Sequence, residues 1–200
     1  MAISAELIKE LRDTTGAGIL DCRKALEETD GDLEKAIVIL REKGLADAAK
    51  RSGRETNAGM LELYSHGEGR VGVMVEVNCE TDFVARTDEF KTFAHEIALQ
   101  IAAASPQWLT EDDIPKAVME EERAIAKKRA EEEDKPENVI DRIIDGRLAK
   151  FMDETCLMRQ AYIREESKTV EDLLKETIAN LGENITIRRF ERWEVGEDLD

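Results

Sequence analysis

Apolar residues at helical spacing open the chain. Leu7, Ile8 and Leu11 follow Ser4, whose hydroxyl can accept from the free amides of a helix start, and Thr14-Thr-Gly-Ala-Gly18 then breaks the pattern with two glycines. Ile19, Cys22, Ala25 and Leu26 mark a second helix, Asp30-Gly31-Asp32 turns the chain, and Leu33, Ala36, Ile37 and Leu40 mark a third that Gly44 ends. Three short helices sharing one small core are the economical arrangement for residues 1–44. A module of roughly 40 residues lies near the lower limit for independent folding, so it is expected to be marginally stable and to expose apolar surface. Residues 45–57 read as a linker or as an extended helix end.

The period then changes from helical to twofold. Val71, Val73, Val75 and Val77 alternate with Gly72, Met74, Glu76 and Asn78, which places four valines on the core face of one strand. Gly59-Met-Leu-Glu-Leu-Tyr64 is a weaker strand before it, and Ser65-His-Gly-Glu-Gly-Arg70 carries the glycines of a hairpin turn. A third strand, Ile185 to Val195, comes only near the end of the chain. Two strands alone are seldom stable, so it is expected to join the hairpin in one antiparallel sheet closed over a long helical excursion. Residues 58–200 thus form an α+β core.

Within the excursion, Phe90, Phe93, Ala94, Ile97, Ala98 and Ile101 make an apolar stripe with Thr87 placed to cap it, a helix suited to covering the sheet. Thr169-Val-Glu-Asp172 starts a second covering helix through Leu173, Leu174, Ile178 and Leu181, which Gly182 stops. Between them, Ala117 to Glu133 is strongly charged, Lys135-Pro136 breaks it, and Val139, Ile143, Ile144, Leu148 and Phe151 resume an apolar seam. Residues 117–151 read as a protruding helical hairpin, either solvated or in contact with another chain.

Charge narrows the possible partners. Against 29 basic side chains stand 46 acidic ones, a formal net charge of −17 that disfavours direct binding to a nucleic-acid backbone. Cys22, Cys79 and Cys156 are far apart, no Cys-x-x-Cys pair exists, and His66 and His95 are the only imidazoles, so no metal site is expected. No apolar run long enough for a bilayer is present, and a reducing cytoplasm is the expected location. The phosphate loop, the dinucleotide fingerprint, the nucleophile elbow and the zinc-protease helix are all missing. Abundant carboxylates on an acidic surface signal solvation more than acid–base work, so an enzyme is disfavoured and no cofactor is expected. A protein-interaction adaptor and a carboxylate hydrolase stay open at this point.

Four residues draw attention. His66 and Gly67 fall in the predicted hairpin turn, where a solvated residue or a protein contact would each fit. His95, between Ala94 and Ile97, is expected at the boundary of the core. Phe83 follows Asn78, Glu80, Thr81 and Asp82, which should end the valine strand, and so lands on a turn or first helical residue. It is either tucked under or presented outward, and the pattern alone favours tucking because loop aromatics commonly anchor their own loop.

The segments Leu11-Arg-Asp-Thr-Thr-Gly-Ala-Gly-Ile-Leu-Asp-Cys-Arg-Lys-Ala-Leu26 and Glu76-Val-Asn-Cys-Glu-Thr-Asp-Phe-Val-Ala-Arg86 closely resemble the two signatures of the elongation factor Ts family. Tyr64-Ser-His-Gly67 with Arg70, Gly146 to Phe151 and Gly182-Glu-Asn-Ile-Thr-Ile-Arg-Arg189 resemble it too, in the same order. The resemblance implies a translation factor that exchanges guanine nucleotide on elongation factor Tu without bond chemistry of its own, meeting it GDP-bound and nucleotide-free. It implies that residues 1–44 are a ubiquitin-associated-like module whose Arg12, Ile19 and Leu20 contact the partner's GTPase domain. It implies that Thr81, Asp82, Phe83 and Val84 intrude near the partner's magnesium site, with Phe83 outward, and that His66 and Gly67 touch the partner's C-terminal domain. Arg23 stands where the family usually has Lys, which keeps charge and changes donor shape. Longer members carry two copies of the sheet core and this chain carries one, so a homodimer is implied.

Overall fold

The computed structural model describes residues 3–132 and 136–198. Helices α1 (Ala5–Thr15), α2 (Ile19–Glu28) and α3 (Leu33–Arg51) come first, followed by strands β1 (Ala58–His66) and β2 (Val71–Cys79). The single turn α4 (Asp82–Ala85) leads into α5 (Asp88–Ala104), α6 (Lys116–Glu132) and α7 (Glu137–Thr155). A short pair, β3 (Ala161–Tyr162) and β4 (Glu165–Thr169), precedes α8 (Val170–Leu181) and β5 (Ile185–Glu194). The main sheet is antiparallel with order β1-β2-β5, so the late strand does join the early hairpin on its β2 side. The class is α+β, as the periodicities predict.

Contacts divide the chain into two compact units, Met1–Leu61 with Glu76–Ala94 and Asp172–Arg188, and Glu62–Val75 with His95–Glu171 and Arg189–Asp200. In the first, the Ser4 hydroxyl accepts from the Leu7 amide at 3.1 Å, Gly16 turns left-handed to end α1, and the Asp32 carboxylate accepts from the Lys35 amide to start α3. The three helices share Leu11, Cys22, Ala25, Leu26, Ala36 and Leu40 as a core.

The expected stop at Gly44 does not occur, and α3 runs on to Arg51. A Cβ at Gly44 would stand 3.1 Å from the Ala179 Cβ of α8. The glycine therefore allows a close helix approach instead of ending a helix. Residues 45–51 are helix, and the irregular stretch that follows is tied down: the Asn184 side-chain amide donates to the Arg54 carbonyl at 2.8 Å, and the Thr56 and Thr186 hydroxyls pair at 2.9 Å. The Glu80 carboxylate accepts from the Asn184 backbone amide at 2.6 Å and from the Arg54 guanidinium at 3.3 Å.

In the second unit, Ile97, Ala98 and Ile101 of α5 are buried, and the α6–α7 seam closes over Ala126, Ile144 and Leu148 with Met119 and Ile140 against them. Small alanines on α6 face isoleucine and leucine on α7 in a narrow seam; of the residues expected there, Ile144 and Leu148 take part, while Ile140 and not Val139, Ile143 or Phe151 packs beside them. The predicted break at Lys135-Pro136 falls on Lys135, which lies outside the described residues. Gln100 and Gln160 are buried without penalty, because the Gln100 amide donates to the Gln160 side-chain oxygen and the Ala161 carbonyl, both at 3.2 Å. The β3–β4 pair escapes the pattern because Arg164-Glu-Glu-Ser-Lys168 lacks apolar alternation; the Tyr162 hydroxyl and Arg164 anchor it on Glu96 of α5 at 2.7 and 2.5 Å. In β2 the four valines are buried and Gly72 and Met74 are exposed.

The Glu80 carboxyl sits below its ordinary value of 4.5, chiefly because the Asn184 amide stabilises the anion and secondarily through Arg54. A carboxyl depressed on folding contributes stability above the unfolded value and loses it as pH falls through the folded one. In urea melts, the advantage of the wild type over Glu80→Gln is therefore expected at pH 7 and to shrink as pH falls below 4.5.

Candidate functional site

The segment after β2 projects an aromatic ring by polar means. The Thr81 backbone is extended, and its hydroxyl accepts from the Val84 amide at 3.5 Å to start α4. Asp82 bonds Arg86 at 2.7 Å, one helical turn on. The Thr87 hydroxyl donates to the Val84 carbonyl at 2.8 Å and accepts from the Phe90 amide at 3.2 Å, which joins the end of α4 to the start of α5. None of the four residues of α4 is buried, and Phe83 is 79% exposed. The outward orientation implied by the family resemblance is the one present, and the tucking favoured by pattern alone is not. Val84 and Ala85 take the half-buried positions on this single turn, which leaves Asp82 and Phe83 on the solvent side.

Two carboxylates brace the segment. Glu183, in the turn between α8 and β5, accepts from the Thr81 amide at 3.0 Å and from the Thr81 hydroxyl at 2.6 Å. Glu80 returns the contact by accepting from the amide of Asn184, the residue after Glu183. The Cys79 thiol donates to the Thr81 carbonyl at 3.1 Å, and burial pushes its pKa up to about 11, so it is a neutral buried donor and no nucleophile. Burial likewise raises Cys22 and Cys156.

At the N-terminal module, Arg12 is exposed in the last turn of α1. Ile19 and Leu20, in the first turn of α2, are 56% and 72% exposed, while Cys22, Ala25 and Leu26 of the same helix are buried. Gly18 as the N-cap supplies no side-chain bond, so these two apolar residues stand beside bare backbone.

His66 is the last residue of β1 and is exposed with Gly67. Gly67, Glu68 and Gly69 all take left-handed backbone, at φ 59°, 56° and 89°, a run that two glycines make affordable. The Tyr64 hydroxyl lies 3.0 Å from the His66 Nδ1. His95 is exposed and not at the core boundary expected from its neighbours. Its Nδ1 lies 2.8 Å from the Glu62 carboxylate and its ring meets Tyr64 edge-on, so the imidazole is drawn out to the strand by a carboxylate and an aromatic.

Among the described residues, no cluster of three or more His, Cys, Asp and Glu side chains is arranged to hold a metal ion, and no helix is long and apolar enough to cross a membrane. The sequence shows Glu183 only within the Gly-Glu-Asn motif and Glu80 only as a strand-ending residue, and neither pattern points to a brace for Phe83. A glutamate in a Gly-Glu-Asn turn reads as a solvated loop residue, and its partner is more than a hundred positions away.

Residues 9–197 match the family model described as Elongation factor TS. The chain is 61% identical to Elongation factor Ts of Thermoanaerobacter sp. (strain X514) over 99% of this chain and 97% of that one. It is 60% identical to Elongation factor Ts of Caldanaerobacter subterraneus subsp. tengcongensis, over 99% of both chains. With the namesake of Thermotoga neapolitana it shares 54% over 99% of this chain and all of the other. Matches of this extent, together with the Thr-Asp-Phe-Val turn and the three-helix module in place, show that the chain belongs to the elongation factor Ts family of translation factors.

Proposed function

We propose that this chain binds elongation factor Tu and promotes GDP release by disturbing the magnesium and phosphate site, with Phe83 as the wedge. The observation that carries this reading is a phenylalanine left 79% exposed on a turn that polar contacts hold in place. Burying such a ring yields about 1.5 to 3 kcal/mol, a gain this fold leaves for a partner. That gain is small beside the roughly 12 kcal/mol that nanomolar nucleotide affinity represents, so the wedge acts within a wider footprint.

The footprint has two further parts. Arg12, Ile19 and Leu20 of the three-helix module dock on the GTPase domain, and His66 with Gly67 touches the partner's C-terminal domain. Spread over several domains, the contacts stabilise a conformation in which the ligands of magnesium and phosphate are displaced. Coupling is reciprocal: the factor by which the chain weakens nucleotide binding is the factor by which nucleotide weakens binding of the chain. Asp82 orients the segment through Arg86, and no bond is made or broken by the chain. An adaptor without exchange activity would bind its partner and leave nucleotide release unchanged.

A second copy of the chain completes the surface. Leu63, Met74 and Trp193 line a groove of about 350 Å³ on the outer face of the sheet, and Leu63 and Trp193 are more than two-thirds exposed. Apolar residues on three adjacent strands stand exposed side by side, a surface that a second copy would cover.

Two outcomes follow from these assignments. Phe83→Ala is expected to leave the melting temperature unchanged and to slow labelled-GDP release from elongation factor Tu in stopped-flow experiments; a lost fold with normal exchange by the remaining folded fraction would remove the wedge role. Trp193→Glu is expected to convert the dimer to a monomer in sedimentation equilibrium, and a wild-type chain that is already monomeric at micromolar concentration would contradict the second copy.

A further inference from the structure

Residues 81–86 receive little hydrophobic support. Phe83 is largely in solvent, and of the four residues of α4 none is fully buried and Val84 and Ala85 are half-buried, so packing alone gives the segment little support. Its internal bonds, Asp82 to Arg86 and Thr87 to Val84, are local and would survive if the whole turn swung. Among the described residues, the side-chain bonds that reach this segment from a distant part of the chain both end on the Glu183 carboxylate.

We infer that Glu183 is the positioning residue for Phe83, acting through the Thr81 hydroxyl; this rests on the wedge reading and deepens it. A hydroxyl has one proton and two lone pairs. Donation to Glu183 at 2.6 Å holds the proton on that side and leaves a lone pair facing the Val84 amide, which is the bond that starts α4. The second Glu183 oxygen takes the Thr81 amide at 3.0 Å, so both oxygens of one carboxylate grip one residue. Glu80 completes the grip in the opposite direction by accepting from the Asn184 amide, with Arg54 against it. Two neighbouring loops thus exchange carboxylates: residue 80 holds residue 184, and residue 183 holds residue 81.

With Glu183 truncated, the Thr81 hydroxyl is free to rotate, the start of α4 loosens, and Phe83 samples many directions. Docking must then order the ring again, which costs conformational entropy that the native clasp has already removed. Exchange slows although every residue that touches the partner is still present.

A double-mutant cycle on the full chain tests this, with stopped-flow release of labelled GDP from elongation factor Tu at sub-saturating factor. Glu183→Ala is expected to slow stimulated release by about three- to tenfold, and by less than about twofold in a Phe83→Ala background. Glu183→Gln is expected to keep most of the rate, since its oxygen accepts from the Thr81 amide and its NH2 faces the hydroxyl. Thr81→Val, which keeps shape and loses the relay, should behave like Glu183→Ala and serves if the alanine variant fails to fold. In the free chain, amide hydrogen exchange at Val84 should accelerate in Glu183→Ala and Thr81→Val and stay near wild type in Glu183→Gln. An equal loss from Glu183→Ala in both backgrounds, a wild-type rate for it, or an unchanged Val84 amide would overturn the positioning role while leaving the wedge standing. Wild-type release by Phe83→Ala would overturn the wedge and the positioning role together.

Discussion

The exchange of carboxylates between the end of β2 and the turn before β5 is the constraint on which the rest depends. An aromatic left in solvent cannot be fixed by burying it. Polar ties to its neighbours must fix it instead, and they must survive in water. Single exposed hydrogen bonds contribute little. Here each carboxylate meets a backbone amide, Glu183 adds a hydroxyl and Glu80 a guanidinium, so the ties are charge-assisted and mutually oriented. The same contacts hold Arg54 and Asn184, and through them the irregular stretch after α3, so presentation of Phe83 and the path of the backbone around it are one arrangement.

Among the described residues, the exposed apolar side chains include Ile19 with Leu20, Phe83, and Leu63 with Met74 and Trp193. In the proposed reading the first two are offered to the partner and the third to a second copy, so that a chain of formal charge −17 would bind by shape and burial. A footprint composed of several modest patches also suits an exchange factor, which must bind strongly enough to shift a nucleotide equilibrium and weakly enough to be displaced when nucleotide returns.

Much of the architecture is legible in one sequence because local and global signals agree. Ser4, Gly16, Asp32 and Gly182 sit at helix ends where capping chemistry puts them, and the valine alternation of β2 is the alternation of its buried face. Errors arise where a residue answers to a neighbour distant in sequence. Gly44 looks like a helix stop until Ala179 is seen against it, and His95 looks like a core-edge residue until Glu62 and Tyr64 draw it outward. The β3–β4 pair is held by Glu96 on α5 and leaves no periodic trace. For the candidate site, composition placed Phe83 on a turn but could not give its direction, because direction is set by Glu183 through contacts the local pattern does not contain.

The central claim is that a ring held outward on a braced turn enters the partner beside its magnesium site. The most direct measurement replaces Phe83 with benzoylphenylalanine, mixes the chain with GDP-bound elongation factor Tu, and maps the photo-crosslink by mass spectrometry. A crosslink to partner residues flanking the magnesium and phosphate site, suppressed by excess GDP, is the predicted result. A crosslink confined to this chain or to a second copy of it, unaffected by GDP, would contradict the account.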